Sequence, residues 1–309
     1  LKLKELKKRL YSDPYRPNVI PYVTSYYEKK WGFCIKHKDL KNLKKGNYYV
    51  YINSKFKKNG SLTLSDKIFK GKSNKEIIFQ SYTCHPSMLV NELLGPVIIV
   101  FLANYVKKLK KRNFTYRFIL GPETIGTISY LNKNLKAITR NFMAGYVLTC
   151  LGIGKNFYFK NSKQKDSLTN KLFYRHFKTK KKYLIDYGPG GSDERQYNMK
   201  GINLPMGCVM SVLPAKYKEY HSSADNLNLL DLNTIIVTIK KLQKFIDYIE
   251  KQEFPEFKNN KCEPFLSKYV NFYGTKNYSN VIPKNETLAL KWLVHFCDGT
   301  NSIDDIQKK

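Results

Sequence analysis

The sequence lacks several features that would place it in a common class of protein. The longest apolar run, 96–106, falls short of about twenty residues, is interrupted by Asn104 and is followed by KKLKKR, so no membrane-spanning helix is expected. The first ten residues, LKLKELKKRL, predict a basic amphipathic helix and carry no secretory signal pattern. The six cysteines include no CxxC pair, which predicts reduced, mostly buried thiols in a cytoplasmic protein.

Arginine is also scarce, although the formal net charge is +31. Lysine carries most of this charge and is spread through nearly every segment, often beside Asn, Ile and Tyr, as AT-rich codon usage produces. Sites that read bases or clamp phosphates depend on arginine forks. Nucleic acid is therefore not expected as the primary partner, although a positive field favours acidic partners at low salt.

The pattern of apolar residues indicates alternating strands and helices. At 309 residues and 42% apolar content, the chain can bury a large core. Strands are predicted at 76–84, 116–122 and 144–150, and helices at 95–112 and 124–139. This alternation predicts an α/β fold with a mostly parallel sheet and helices on both faces.

Two segments depart from this alternation. The runs NYYVYINSKF and GSLTLSDKIF, separated by KKNG, predict a hairpin within a small inserted β subdomain at 27–75. At the other end, a long amphipathic helix at 231–252 precedes a proline-containing linker, a further helix and a DGTN turn. We therefore expect a main domain formed by 1–26 and 76–253, the β subdomain at 27–75, and a helical segment at 254–309.

Chemically useful side chains follow the predicted strands or lie in loops. His85 follows the first strand, and Glu123 follows the second. The carboxyl edge of an open α/β sheet is where ligands bind. The glycine-rich GPGGSDERQY brings Asp193 and Glu194 together, and EYHSSADNL carries His221 and Asp225. Imidazoles with carboxylates suit Zn²⁺ or a similar divalent ion, so a metal site is one interpretation.

Each of these residues also has a structural interpretation. A lone histidine after a strand is usually a satisfied polar residue. Glu123 can favour a helix dipole, Asp193 can stabilise its glycine turn, and Asp225 can cap the next helix. Only the joint placement of these side chains at strand ends and loops favours a site.

Four motifs, in order, make the resemblance specific. CHPSMLVNELLGP, PETIGT, GSDERQY and EYHSSADNL resemble an aminopeptidase-like bacterial family whose members often carry an inserted small domain and a C-terminal winged helix. That family is similar to zinc exopeptidases, including bacterial leucyl aminopeptidase and glutaminyl cyclase. PYVTSYYEKKWGFC (21–34) also resembles its pattern, and DGTNSIDDI resembles the opening of its winged helix. The resemblance therefore covers nearly the whole chain and implies a zinc-exopeptidase-like fold, with 254–309 as linker and the start of a winged helix.

The resemblance implies a role for each motif residue. His85, Glu92 and His221 become metal ligands, and Asn91 occupies the position of a metal-bridging aspartate. Glu123 becomes the general base. Asp193 becomes either a metal ligand or a residue that orients the ligands. Three further residues are expected to orient the ligands: Asn91, Asp225 and Glu194.

Departures from the family pattern argue against a site for two metal ions. Compared with the zinc exopeptidases, a second glutamate that normally binds metal is replaced by Thr124 and the bridging aspartate by Asn91. The closer family shares the Asn-Glu pair and the PET sequence, but it tends to have an aspartate where this chain has Ile153. One divalent ion, zinc, is therefore expected.

Two hypotheses about function follow. The first is a metal-dependent hydrolase of aminopeptidase type that cleaves an amide next to a free amino group, with Asp193 or Glu194 holding that group. The second is a catalytically impaired scaffold that binds an amino sugar, peptide or glycan in polysaccharide biosynthesis. The expected partner is a small peptide-like or amino-sugar substrate.

Overall fold

The computed structural model describes residues 1–25, 28–55, 57–85, 87–257, 262, 265, 268 and 284–308. The chain divides into two compact units, Leu1–Gln243 and Lys244–Lys309. The first unit contains the sheet and every residue predicted to form the site.

Nine strands are described. They are β1 (Leu10–Tyr11), β2 (Phe33–Cys34), β3 (Ser65–Phe69), β4 (Glu76–Tyr82), β5 (Thr115–Gly121), β6 (Phe142–Leu148), β7 (Tyr158–Lys160), β8 (Leu184–Ile185) and β9 (Met206–Met210). Strands β1 and β2 form a small parallel pair, and the other seven form one sheet in the order β3-β5-β4-β6-β9-β7-β8. The central strands β5, β4, β6 and β9 are parallel to one another, whereas β3 and β7 run antiparallel to β5 and β9. The predicted mixed α/β fold with a mostly parallel sheet is confirmed.

Nine α-helices lie in the described part of the chain. They are α1 (Leu3–Lys7), α2 (His37–Lys41), α3 (Leu94–Lys108), α4 (Ile125–Asn141), α5 (Leu168–Phe177), α6 (Glu194–Tyr197), α7 (Leu232–Glu250), α8 (Lys284–Phe296) and α9 (Ile303–Ile306). A π-helical turn, Leu89–Leu93, leads directly into α3. Short 3₁₀ turns occur at Lys181–Tyr183, Pro214–Lys216 and Leu227–Leu229.

Burial explains why the central strands form where the apolar runs predict them. Every residue of β4 is buried, which is typical of a parallel strand covered on both faces. Helix α3 approaches this strand closely at Gly95, where an added Cβ would lie 2.2 Å from Ser81 Oγ. Ser81 Oγ in turn donates to the carbonyl oxygen of Leu148, 2.7 Å away, and so links β4 to the end of β6. A residue larger than glycine at 95 would therefore push the helix away from the sheet.

One segment, Leu89–Lys108, is long and apolar enough by length and composition to cross a membrane. Its most apolar window has a mean hydropathy of 1.8, and 56% of that window is buried within the protein. The core helix of a globular domain passes the same test, and α3 packs against β4 and β5. This segment is therefore weak evidence for a membrane span.

The predicted hairpin between NYYVYINSKF and GSLTLSDKIF is wrong for the residues that are described. The second run supplies β3, which pairs antiparallel with β5 at the edge of the main sheet, and no strand is assigned to 47–55. The reason is a buried charge contact that sequence periodicity does not reveal. Arg117 of β5 donates to Asp66 of β3 at 2.7 Å and to Glu76 of β4 at 2.8 Å. The boundary of a separate subdomain at 27–75 stays a prediction.

The second unit contains the end of α7 together with α8 and α9. Ser302 begins α9 with a capping box in which its Oγ accepts from the Asp305 N–H and the Asp305 carboxylate accepts from the Ser302 N–H. The predicted helix, DGTN turn and second helix are therefore present. Most of the predicted linker beyond residue 257 lies outside the described residues, and the winged-helix assignment stays a prediction.

Candidate active site

The carboxyl edge of the sheet brings together His85, Glu92 and His221. His85 lies three residues after β4, and its Nε2 is 3.8 Å from Glu92 Oε1. The rings of His85 and His221 meet edge to face, with centroids 5.3 Å apart. Burial lowers the pKa of both histidines, so both imidazoles are neutral near pH 7. Neutral imidazole is the form that binds a metal ion.

The loop that carries His221 is attached to the N-terminal segment. The Tyr22 N–H donates to the carbonyl oxygen of His221 at 3.0 Å, and Pro21 forms an antiparallel bridge with Ser222. The Tyr22 ring lies 4.3 Å from the His85 ring and 5.2 Å from the His221 ring, centroid to centroid. Tyr22 was not among the predicted site residues, although it lies within the 21–34 stretch that resembles the family.

A second tyrosine supports His221 from its own loop. The Tyr220 ring stacks on the His221 ring at a centroid distance of 3.9 Å. His221 itself has a φ of 51°, a left-handed conformation that is uncommon for any residue except glycine. The stacking and the bridge to Pro21 hold this conformation, and the histidine ring is thereby oriented toward His85.

Asp225 anchors the π-helical turn that carries Asn91 and Glu92. Its carboxylate accepts backbone N–H groups from Leu89 (3.1 Å), Val90 (2.8 Å) and Asn91 (3.0 Å), and the Tyr217 hydroxyl at 3.1 Å. Asp225 is fully buried. It therefore positions the turn, and its oxygens are committed to backbone and phenol donors. Its predicted role in orienting metal ligands stays a prediction.

Glu92 lies in a buried position within this turn. Its Oε2 accepts from the Cys84 N–H at 2.9 Å, and its Oε1 accepts from Asn91 Nδ2 at 2.5 Å. Burial, together with the nearby Glu123 carboxylate, raises the pKa of Glu92 to about 7. A cation beside Glu92 would offset this burial cost by favouring the charged form.

Glu123 follows β5 and faces the same edge. Its N–H donates to Cys84 Sγ at 2.8 Å, and its Oε1 accepts from Ser192 Oγ at 2.7 Å. Burial raises the pKa of Glu123, while the Ser192 hydrogen bond and the Arg195 charge act in the opposite direction. A carboxylate whose pKa is raised toward neutrality is a better proton acceptor at working pH. Neither Ser192 nor Cys84 was predicted as a partner of Glu123.

The residue after Glu123 has a strained backbone. Thr124 has φ 62° and ψ −72°, and the Ile125 N–H donates to the Glu123 carbonyl oxygen at 2.7 Å, which together define a γ-turn of the rare, strained type. Positive φ is costly for a β-branched residue. Two contacts hold this turn: Asp193 Oδ1 accepts from the Thr124 N–H at 2.7 Å, and Arg195 Nη2 donates to Thr124 Oγ1 at 2.9 Å.

Asp193 and Glu194 are buried within the protein rather than directed at His85 and His221. Asp193 accepts from Thr124 and, through Oδ2, from Gln80 Nε2 at 2.9 Å, and burial raises its pKa to about 6. Glu194 Oε1 accepts from Lys160 Nζ at 2.9 Å, and both carboxylates have no exposed surface. Their predicted roles as metal ligand and amine-binding group stay predictions. In this structure their contacts support the strained turn at Thr124 and the glycine-rich turn.

The glycine-rich turn is shaped by that ion pair. Lys160 Nζ also donates to the carbonyl oxygens of Gly188 and Gly190. At Gly191, where φ is +134°, an added Cβ would lie 2.3 Å from Glu194 Oε1 and 2.5 Å from Lys160 Nζ. Glycine is required there, and the turn places Ser192 against Glu123.

The donor types at the site fit a divalent ion, although the side chains do not close into a finished ligand set. No group of three or more His, Cys, Asp or Glu side chains in the described residues is arranged to hold a metal. His85, His221 and Glu92 nevertheless converge, and the buried Asn91 Oδ1 has no hydrogen-bond partner among the residues described. A buried unpaired amide oxygen is costly and is satisfied by a cation or a donor. Two imidazoles with a carboxylate are donors that zinc prefers.

Comparisons with known proteins agree with this geometry. The family model DUF4910, a domain of unknown function, matches residues 17–252. A Clostridium acetobutylicum protein named for polysaccharide biosynthesis and an aminopeptidase-like domain is 36% identical over 99% of this chain and 70% of its own length. A crystal structure of a candidate peptidase from the same organism superposes with a TM-score of 0.80 at 34% identity, over 100% of this chain and 69% of the other. A zinc aminopeptidase of Bacillus subtilis shares the fold alone, with a TM-score of 0.56 and 14% identity over 79% of this chain and 64% of its own. The chain therefore belongs to the DUF4910 family and has an aminopeptidase-like fold.

Proposed function

We propose that the protein is a metal-dependent hydrolase of aminopeptidase type, with one zinc ion held by His85, Glu92 and His221. The observation that carries this proposal is the convergence of two neutral histidines and a buried glutamate beside Glu123, at the sheet edge where the fold binds ligands. The orphaned Asn91 Oδ1 at the same place adds support.

When bound, such an ion would polarise the scissile carbonyl and lower the pKa of a coordinated water toward ~7. Glu123 then accepts a proton from the attacking water and returns it to the leaving amine, a contribution of roughly 10² to 10⁴ in rate. Ser192 and Cys84 hold the Glu123 side chain and backbone in place. Burial of Glu123 favours transfer at neutral pH because it raises the pKa of the carboxyl group.

The test combines metal analysis with one substitution. Protein purified without added metal is expected to contain about one zinc per chain, and a panel of amino-acid arylamides and amino-sugar amides is expected to include a substrate. Glu123→Gln keeps the size and shape of the side chain but removes the basic oxygen. It is expected to keep its metal and lose roughly 10² to 10⁴ in rate.

The control is Glu286→Gln, an exposed glutamate in the second unit, which is expected to behave as the parent. Full activity in Glu123→Gln would exclude Glu123 as the base. Loss of metal from that variant would instead make Glu123 a ligand.

A second function is favoured by the replacement of the second glutamate with Thr124 and by the name of the Clostridium relative. In that case the protein is a catalytically impaired scaffold that binds an amino sugar, peptide or glycan in polysaccharide biosynthesis. Metal content separates the two functions. The hydrolase would be purified with zinc, whereas the scaffold would be purified without metal and would bind its ligand equally well in the presence of a chelator.

We also propose that the protein acts in the cytoplasm. All six cysteines are free thiols, and three of them, Cys150, Cys208 and Cys297, are buried. Free thiols suit a reducing compartment. Fractionation of cells that produce the tagged protein tests this proposal.

A further inference from the structure

A cavity in the N-terminal segment lies next to the candidate active site. Its volume is about 340 Å³, which is in the lower part of the range of small-molecule sites, roughly 300–1,000 Å³. The residues that matter for its chemistry are Tyr11, Thr24, Ser25, Lys30, Trp31 and Phe33. None of these residues was among the predicted site residues.

Tyr22 connects this cavity to the two histidines. Its ring contacts His85 and His221, and its backbone N–H is bonded to the His221 carbonyl oxygen. The next residue, Val23, lines the cavity. Consecutive Cα atoms are about 3.8 Å apart, so the backbone at the wall of the cavity lies close to the backbone of Tyr22. The Tyr22 ring touches both predicted histidine ligands.

The attachment between these two regions is built from several hydrogen bonds. The Ile20 N–H donates to Ser223 Oγ at 2.9 Å, and the Ser223 N–H donates to the Ile20 carbonyl oxygen at 2.9 Å. Arg16 Nη1 donates to the carbonyl oxygens of Lys218 at 2.8 Å and Tyr220 at 3.2 Å. The segment that leads into the cavity is thus fixed against the loop that carries His221.

The aromatic wall of the cavity is held in position. The Arg9 guanidinium lies over the Trp31 ring, 5.3 Å from its centroid, and the Phe33 ring meets Trp31 edge-on at 6.1 Å. Parallel pairing of β1 with β2 places Tyr11 opposite Cys34, next to Phe33. Rings fixed in this way reduce the entropy cost of binding a flat or ring-shaped group.

The polar groups of the cavity distinguish its ligand. Thr24 and Ser25 supply hydroxyls, and Lys30 supplies an ammonium group whose Nζ is 2.6 Å from Glu28 Oε2 at the surface. Lysine and arginine far outnumber acidic residues in 1–55, so the surrounding field favours an anion. A pocket for an aliphatic or aromatic amino-acid side chain has no need of an ammonium group and two hydroxyls. A sugar ring has an apolar C–H face for the aromatic rings and hydroxyl edges for the polar groups.

We propose that this cavity is a subsite for an acidic sugar, a pyranose that carries a carboxylate, in the part of the substrate next to the cleaved amide. The ring packs on Trp31, and the carboxylate pairs with Lys30. The link to cleavage rests on the proposed function, whereas binding in the cavity does not require it.

The test uses Trp31 as a reporter. Trp292→Phe leaves Trp31 as the single tryptophan of the chain, and methyl β-D-glucuronide is titrated while its fluorescence is recorded. A saturable change is expected. Lys30→Gln is expected to weaken binding roughly tenfold, since it removes a charged partner. Lys45→Gln, an exposed lysine outside the cavity, is the matched control and is expected to bind as the parent does.

Two neutral probes separate the possible ligands. Methyl β-D-glucoside is expected to bind more weakly than the glucuronide, because it lacks the carboxylate. N-acetylphenylalaninamide is expected to bind poorly. Calorimetry measures binding to two Trp31 variants. Trp31→Ala is expected to lose binding. Trp31→Phe, which serves if the alanine variant does not fold, is expected to retain part of it.

The proposal is overturned by the absence of saturable glucuronide binding, by equal binding in Lys30→Gln, or by tighter binding of N-acetylphenylalaninamide. Titrations with a chelator and with Glu123→Gln keep the two proposals apart. Glucuronide binding that survives both, in a protein that cleaves no amide, supports the subsite and removes the proposed hydrolase. Amide cleavage without glucuronide binding would support the proposed hydrolase and remove the subsite.

Discussion

Asp225 is the residue whose substitution tests the assembly of the site most directly. Its two carboxylate oxygens accept four donors: three backbone N–H groups of the π-helical turn and the Tyr217 hydroxyl. In Asp225→Asn one oxygen becomes an NH₂ group, which cannot accept. The less damaging orientation turns the NH₂ toward Tyr217, whose hydroxyl can rotate and accept. The Asn91 N–H is then buried opposite another donor.

The cost follows from this count. An unpaired buried donor costs about 1–3 kcal/mol, and the remaining bonds lose the assistance of the charge. We expect Asp225→Asn to lower the free energy of unfolding by roughly 2–4 kcal/mol. In Asp225→Ala the Leu89 N–H keeps the Asp225 carbonyl oxygen at 3.2 Å. The other three donors lose their acceptor, so the loss is roughly 3–5 kcal/mol, as when one partner of a buried charged contact is removed.

Urea unfolding measures this cost, and zinc titration measures its effect on the site. Because the unpaired donor belongs to Asn91, next to Glu92, zinc affinity is expected to fall as well. Asp231→Asn is the control: Asp231 is exposed, its carboxylate accepts from Thr234 at the start of α7, and asparagine caps helices about as well as aspartate. A loss below about 1 kcal/mol in Asp225→Asn, equal to that of the control, would refute the anchoring role.

Three further predictions concern strain, pH and thiol reactivity. Thr124→Gly and Thr124→Val both lose the bond from Arg195, but only glycine relieves the positive φ. Urea unfolding should therefore find the glycine variant more stable than the valine variant by about 1 kcal/mol or more, and equal stabilities would contradict the strain. Burial raises the pKa of Glu92 to about 7, above its value in the unfolded chain. In protein treated with a chelator, the stability that protonated Glu92 contributes is therefore fully present below about pH 4 and is lost as the pH rises toward 7. The difference in unfolding free energy between parent and Glu92→Gln should therefore change across that window, and a constant difference would be evidence against the shift. Burial and nearby carboxylates raise the pKa of Cys84 to about 12. Iodoacetamide at pH 8 should therefore label the exposed Cys262 well before Cys84, as followed by mass spectrometry. Labelling of both at similar rates would show an accessible Cys84 thiolate.

The sequence predicts the sheet and the placement of its strand ends because both depend on local patterns. The apolar run at 76–84 is β4, and the helical periodicity at 231–252 is α7. His85 and Glu123 could be placed at one edge because neighbouring parallel strands end on the same side of a sheet. The structure brings His221 to the same edge, as the family motifs imply.

Features fixed by contacts between distant residues could not be predicted in this way. β3 joins the sheet through Arg117 and Asp66, which are 51 positions apart. The γ-turn at Thr124 depends on Asp193, 69 positions away, and threonine gives no local signal for a positive φ. Tyr22 reaches the histidines only because its segment pairs with the loop after Tyr220. In each case a hydrogen bond between distant segments overrides the local preference.

The environment of Asn91 would favour one metal ion over two at the proposed site. An aspartate at this position could bridge two ions, but the Asn91 amide is neutral and its Nδ2 donates to Glu92 Oε1. Thr124 likewise brings no charge to the residue next to Glu123. Of the nearby carboxylates, Asp225 already accepts from four donors and Glu123 is bonded to Ser192. Two divalent ions would carry four positive charges into a buried region whose carboxylates are mostly committed to other donors, and buried charge must be paired. One ion beside Glu92 would instead lower the pKa of that carboxyl group from about 7, because the charged form would then gain a partner, and the metal and the charged state of Glu92 would stabilise each other.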